Sequence, residues 1–167
     1  MSALDYPFLF TAYNSLGNST TINTYIEVDV FVIHEGPAMR IQIPSIMFAP
    51  YSTSLTEGLD EETIASNRAI LQQVAEIMNK FSGYQIIIEG HANHTYPTPA
   101  AREVEHVTEL IPLSDERARA VIDYLVGLGV ARSRLSHNAV GGSRPVASYE
   151  DQENWWQNRR AEFILMR

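Results

Sequence analysis

Leu113-Ser114-Asp115-Glu116-Arg117-Ala118-Arg119-Ala120-Val121-Ile122-Asp123-Tyr124-Leu125 is the stretch on which the fold turns. Its apolar residues Ala118, Val121, Ile122, Leu125 and Leu128 recur at helical spacing and form one buried stripe. Ser114 is a good N-cap residue, and Asp115 and Glu116 suit a first helical turn. The helix is expected to end near Gly127–Gly129. On that reading Arg117 lies beside the unpaired amides of a helix start, where a planar, permanently charged fork would meet a carboxylate.

Working outward, Arg134 to Val140 reads as a short strand, Glu150 to Gln157 as a helical turn and Ala161 to Met166 as a final strand. Upstream, Tyr84 to Glu89 is a continuous apolar run of central-strand character. Before it, Ile64, Ile70, Leu71, Val74, Ile77, Met78 and Phe81 mark a helix over Glu61–Phe81 with an acidic start, stopped by Gly83. Thr24–Ile33 and Met39–Met47 read as strands turned by Glu35-Gly36-Pro37-Ala38, a hairpin. Residues 14–22 read as loop. The long insert Asn93–Pro112 has room for a short helix over Ala100–Leu110. This order predicts an α+β, two-layer sandwich: a mixed sheet of about four strands, helices on one face, and an N-terminal strand or hairpin extension.

Composition narrows the function classes. The 167 residues suit one domain with an added segment, and 45% hydrophobic against 19% charged residues is an ordinary globular balance. A net charge of −8 makes nucleic acid and anionic membrane surfaces poor partners. The absence of cysteine excludes disulfides, thiolate metal sites and a thiol nucleophile. No run reaches transmembrane length, and Met1–Tyr13 lacks the basic start of a signal peptide. The sequence therefore reads either as a cytoplasmic protein or as a piece of a longer exported chain, and the second is the expectation adopted.

Five separated elements occur in order: Phe48-Ala49, Gly90-His91-Ala92-Asn93, Leu113-Ser114-x-x-Arg117-Ala118, Gly141-Gly142-Ser143-Arg144-Pro145 and Asn158-Arg159-Arg160-Ala161-Glu162. Together they resemble the OmpA-like peptidoglycan-binding module of bacterial envelope proteins. The resemblance covers residues 38–167 and leaves 1–37 as an N-terminal extension or the tail of a preceding domain. It implies a noncatalytic module without cofactor or metal. Such a module sits in the periplasm, tethers an outer-membrane or periplasmic protein to the cell wall, and meets other envelope proteins there.

In that family an aspartate takes the ammonium of the stem-peptide diamino acid and an arginine takes its carboxylate. The resemblance carries these roles to Asn93 and Arg117, with Arg159 and Thr95 as lesser candidates. On the residues alone, Arg117 reads rather as a surface arginine pairing with Asp115, Glu116 or the insert glutamates, and either Arg159 or Arg160 could face a pocket.

Two departures stand out. Asn93 replaces the aspartate and Ala49 replaces a second one. A hydrogen bond to a charged group contributes roughly 1.5–3 kcal/mol, and loss of charge assistance removes about half of that. The rival expectation is thus a divergent scaffold or interaction module that has lost wall binding. A third class, a zinc hydrolase, needs His91, His94 and His106 to converge. Trp155-Trp156 reads as a packing anchor or a sugar platform, and Ser114 and Ser136 lack a nucleophile elbow.

Overall fold

The computed structural model describes residues 4–13, 15, 16, 18–28, 32–35, 38–41 and 44–166. Strands β1 (Leu4–Tyr13) and β2 (Ser19–Val28) pair antiparallel as a two-stranded ribbon. A six-stranded mixed sheet follows, built from β3 (Val32–Glu35), β4 (Ala38–Ile41), β5 (Ile46–Met47), β6 (Gln85–His91), β7 (Leu135–Gly141) and β8 (Arg160–Met166). Its order is β3-β4-β8-β6-β7, with β5 also paired to β8. Only β6 and β7 run parallel.

Helices α1 (Glu61–Lys80) and α3 (Ile111–Gly127) cover one face, as the alternation predicts. Ile86 and Ile88 of β6, with Ala161, Phe163 and Leu165 of β8, point into the core against Leu71, Val74 and Met78 of α1 and Val121, Ile122 and Leu125 of α3. Burial of an aliphatic side chain of this size stabilises by about 1.5–3 kcal/mol, so this one cluster dominates the layer packing.

Polar side chains finish what the ladders leave open. Asn67 of α1 is buried and brackets Met47 of β5, accepting from its N–H and donating to its C=O at 2.9 Å each. The end of α1 is closed by Arg134, which donates to the carbonyls of Met78, Phe81 and Tyr84. Gly83, expected to stop that helix, is not in the left-handed region; the carbonyls are satisfied by a distant guanidinium instead.

Three boundaries differ from the sequence expectation. Ser19–Ile22, read as loop, belong to β2, where β-branched Thr20, Thr21 and Ile22 suit a paired ribbon. Two expected strands divide: Thr24–Ile33 has its first part in β2 and Val32–Ile33 in β3, with residues 29–31 outside the described set, and Met39–Met47 is split between β4 and β5, with Pro44 and Ser45 in neither. The hairpin holds, with Glu35 opposite Ala38, though Gly36 and Pro37 are also outside that set.

The third difference matters most. Helix α3 starts at Ile111, three residues before Ser114, and continues directly from helix α2 (Pro99–Glu105) through a π-helical turn, His106–Leu110. Ser114 is therefore no N-cap. It is fully buried inside the helix, donates to the Ile111 carbonyl at 3.0 Å and accepts from the Gly141 amide at 2.9 Å. That bond ties α3 to the end of β7. From Pro99 onward the insert is helical, as expected over Ala100–Leu110, and it runs on into α3; its start is capped by Thr98, whose side chain accepts from the Ala101 amide. Hence Arg117 has no free helix-start amides beside it.

Candidate functional site

Gly90 permits the close approach on which the site depends. A Cβ there would run into the carbonyl oxygen of Ser114, so only glycine lets the end of β6 lie directly against α3. The chain leaving β6 at His91–Asn93 then meets the α3 turn that carries Arg117.

Arg117 is fully buried. Its Nε donates to the Ser52 carbonyl at 3.0 Å, Nη1 to the His91 carbonyl at 2.9 Å and Nη2 to the Ala49 carbonyl at 3.0 Å. The guanidinium also lies 5.1 Å from the centroid of the Phe48 ring. Burial, and secondarily the positive charge of Arg159, lower its pKa to about 10, which leaves it fully charged at neutral pH. Three of its five N–H groups are thus committed to backbone carbonyls. The expectation of a surface arginine paired with Asp115 or Glu116 is overturned: Asp115 pairs with Arg119 at 2.6 Å and His137 at 2.8 Å instead.

Asn93 is fixed from both sides. Its Oδ1 accepts from Asn158 Nδ2 at 2.7 Å, and its own Nδ2 donates to the His94 carbonyl at 2.6 Å. Asn158 is itself buried; its Oδ1 accepts from the amides of Val146 and Ala147 and its Nδ2 also donates to the Ala147 carbonyl. The first residue of the Asn158-Arg159-Arg160 motif is therefore the clasp of the loop that follows β7.

Thr95 is held by a group that sequence reading passed over. Glu105, at the end of α2, has no solvent exposure. It accepts from Thr95 N–H at 2.8 Å, from Thr95 Oγ1 at 2.6 Å and from Tyr96 N–H at 3.4 Å, and it pairs with His94 Nδ1 at 2.9 Å. Burial pushes this carboxyl up, but the bonds from Thr95, His94 and Tyr96 prevail and hold its pKa below the ordinary value. A carboxylate six residues past Pro99, in a segment of otherwise exposed acids, carried no sequence signal of such burial.

Asn93, Thr95, Arg117 and Arg159 line one pocket of about 130 Å³, with Pro50, Tyr51, Leu110, Leu113 and Trp155. No acidic residue lines it, so its two charged groups are both guanidinium. Arg159 donates through Nε to the Phe48 carbonyl at 3.2 Å and remains partly exposed; burial lowers its pKa from the usual value. Arg160, the neighbour, pairs with Glu162 at 2.7 Å. Tyr51, whose hydroxyl bonds Thr95 Oγ1 at 3.0 Å, has φ 53°, the one positive value outside glycine among the described residues. Backbone held in the left-handed region by a bulky residue is strained and clusters at ligand sites. Trp155 donates to the Tyr149 carbonyl and packs on that ring, whereas Trp156 is half exposed.

Asn93 also lines a second, more polar pocket of about 270 Å³ with Arg102, Glu103, Tyr149 and Asn158. The residue therefore forms the wall between the two. The histidines needed for a zinc hydrolase do not converge. His94 and His106 stand 5.9 Å apart beside Glu105, while His91 is grouped with Glu89 and Glu162. Ser114 Oγ is locked in the α3–β7 contact and Ser136 Oγ faces the Ile86 carbonyl at 3.4 Å.

A buried arginine that gathers the carbonyls of Ala49, Ser52 and His91, a glycine contact between sheet and helix, and an asparagine clasp hold this site together. The profile of the OmpA family matches residues 47–159, and the chain belongs to that family. Among curated relatives it is 38% identical over 101 residues to a peptidoglycan-associated lipoprotein of Mesorhizobium japonicum, an alignment covering 60% of this chain and 55% of the relative. It is 37% identical over 83 residues to the protein of that name from Pseudomonas aeruginosa, covering 50% and 44%. The chain thus spans about half the length of the curated relatives it matches. Among solved structures it resembles the peptidoglycan-associated lipoprotein of Burkholderia pseudomallei, with a TM-score of 0.57, 26% identity and coverage of 73% and 89%. A putative MotB-like protein of Desulfovibrio vulgaris, with a TM-score of 0.60, 21% identity and coverage of 81% and 77%, shares the fold.

Proposed function

We propose that this chain is a noncatalytic envelope module that holds peptidoglycan noncovalently through the carboxylate of a stem-peptide residue. The observation that carries this reading is the pocket lined by Arg117 and Arg159 without any acidic residue. A carboxylate entering it would meet two fixed positive charges. Arg117 acts mainly as the fixed floor, because its donors already hold three carbonyls. Arg159, with one bond to Phe48 and partial exposure, is the residue freer to reach a ligand.

Asn93 offers an amide where the family presents an aspartate, so the ammonium of a diamino residue gains a hydrogen bond at most and no ion pair. The open pocket favours this reading over a scaffold that has lost wall binding: the insert supplies the wall residues Thr95 and Leu110 and does not fill the space. The names of the curated relatives point the same way. The ligand, periplasmic placement and anchoring of a longer protein, with residues 1–37 as its extension, follow from this proposal.

Titration calorimetry with a purified disaccharide–tripeptide, alongside sedimentation with isolated cell-wall sacculi, tests it. Saturable binding that Arg159→Ala weakens at least fivefold is expected. Absence of binding to either material by both the wild-type chain and Asn93→Asp would sink the proposal.

A further inference from the structure

Glu89 of β6 and Glu162 of β8 are direct cross-strand partners, with Asn138 of β7 in register on the other side of Glu89. Like charges placed directly opposite repel. Two arginines answer part of that repulsion. Arg144 Nη2 holds Glu89 Oε1 at 2.8 Å, and Arg160 Nη2 holds Glu162 Oε1 at 2.7 Å.

His91 stands two residues along β6, on the same side of the strand as Glu89. Its Nε2 lies 3.9 Å from Glu162 Oε2. Glu89 Oε2 and both ring nitrogens of His91 are buried without a hydrogen-bond partner, although the His91 side chain is only 2% exposed. An orphaned buried imidazole and an orphaned buried carboxylate oxygen are costly. One donor atom from each of Glu89, His91 and Glu162 falls within 4.8 Å of the others.

We infer that Glu89, His91 and Glu162 form a binding site for a divalent transition-metal ion on the sheet. One imidazole nitrogen and two carboxylate oxygens are a donor set suited to zinc. Ligand atoms around a tetrahedral zinc stand about 3.3 Å apart, given bonds of about 2.0–2.2 Å. The three side chains therefore close by roughly an ångström on binding. Glu89 keeps Arg144 on Oε1 and offers its unpartnered Oε2 to the ion, and Glu162 offers one carboxylate oxygen. A fourth position remains for water, and Arg160 Nη1, which is buried without a partner in the same cluster, is a donor for that water's oxygen. Entry is past Arg144 and Glu162, whose side chains are 46% and 25% exposed. The family resemblance implied no metal, and the zinc alternative in the sequence grouped His91 with His94 and His106 instead of across the sheet. This inference does not depend on the peptidoglycan reading, since none of the three ligands lines the arginine pocket.

Zinc calorimetry on chelator-treated protein, with cobalt(II) absorption as a coordination readout, decides it. One equivalent of micromolar binding is expected, with a raised Tm and the intense visible absorption of tetrahedral cobalt. Glu89→Gln and His91→Asn are expected to lose at least tenfold in affinity, while His106→Ala, at the separate His94–His106–Glu105 cluster, binds as wild type. Wild-type affinity weaker than millimolar, or loss confined to His106→Ala, overturns the inference. Should the sheet variants fail to fold, ring-nitrogen NMR of the wild-type chain decides instead. Zinc must move the His91 resonances, and a shift of His94 and His106 alone refutes the site.

Discussion

Asn158 Nδ2 donates to Asn93 Oδ1 at 2.7 Å, joining the segment that leads into β8 to the segment that leaves β6. The position where the family presents a carboxylate is here one half of an amide–amide pair. Neutrality at residue 93 thus has a structural partner as well as a consequence for ligand charge.

Replacing Asn93 by aspartate separates those two roles. Asn158 can still donate to the new carboxylate, but the bond from Asn93 Nδ2 to the His94 carbonyl is lost and an oxygen faces that carbonyl. Urea denaturation should show a loss of about 1 kcal/mol. Affinity for a stem peptide with a free diamino-acid ammonium should rise about fivefold, and affinity for the same peptide with that amine acetylated should not.

Arg117→Ala is expected to cost about 4 kcal/mol or more, because the carbonyls of Ala49, Ser52 and His91 lose charged donors together. Arg159→Ala removes one bond to Phe48 and should cost about 1 kcal/mol. Chemical denaturation of both variants checks the contrast. A similar small loss for each would show that the buried arginine is not the tie between the three segments.

Gly90→Ala places a methyl group against the backbone of Ser114, which no rotamer change relieves. A loss of more than about 3 kcal/mol is expected, beyond the ordinary range for overpacking. A melting temperature within a few degrees of wild type would contradict the close β6–α3 contact.

Acidification should destabilise the metal-free chain through His91. Burial and the Arg160 charge lower its pKa from 6.5 to about 4; Arg144 adds to that, while Glu162 and Glu89 oppose it. Between those two values the unfolded chain binds a proton that the folded chain refuses, so stability falls as pH falls. The stabilisation is fully present above about pH 6.5 and diminishes toward pH 4, by about 3 kcal/mol at most. Denaturation at a series of pH values in the presence of chelator should show this slope, and His91→Asn should flatten it.

The apolar periodicities of residues 61–81 and 113–128 and the run 84–89 made the layers legible, because those segments bury one face or both. What was not legible depended on partners far away in sequence. Ser114 has the chemistry of an N-cap, and nothing local reveals that Pro112 sits within a helix already running from Pro99. Glu105 looks like any insert acid until four groups from residues 94–96 converge on it. Residues Asn93, Thr95, Arg117 and Arg159 do meet in one pocket, but the division of labour between a buried and a reachable arginine came only from geometry. Ala49 shows the same limit: its side chain is small and buried, and its contribution is the carbonyl given to Arg117.

His91 belongs to both sides of the sheet at once. Its carbonyl accepts from Arg117 at the floor of the pocket, while its imidazole stands among Glu89 and Glu162. Free energy exchanged through such a shared residue is reciprocal. If a cation on one side alters the affinity for a wall fragment on the other by some factor, the fragment must alter the cation's affinity by that same factor. The module would then weigh the ionic content of its surroundings in the strength of its grip.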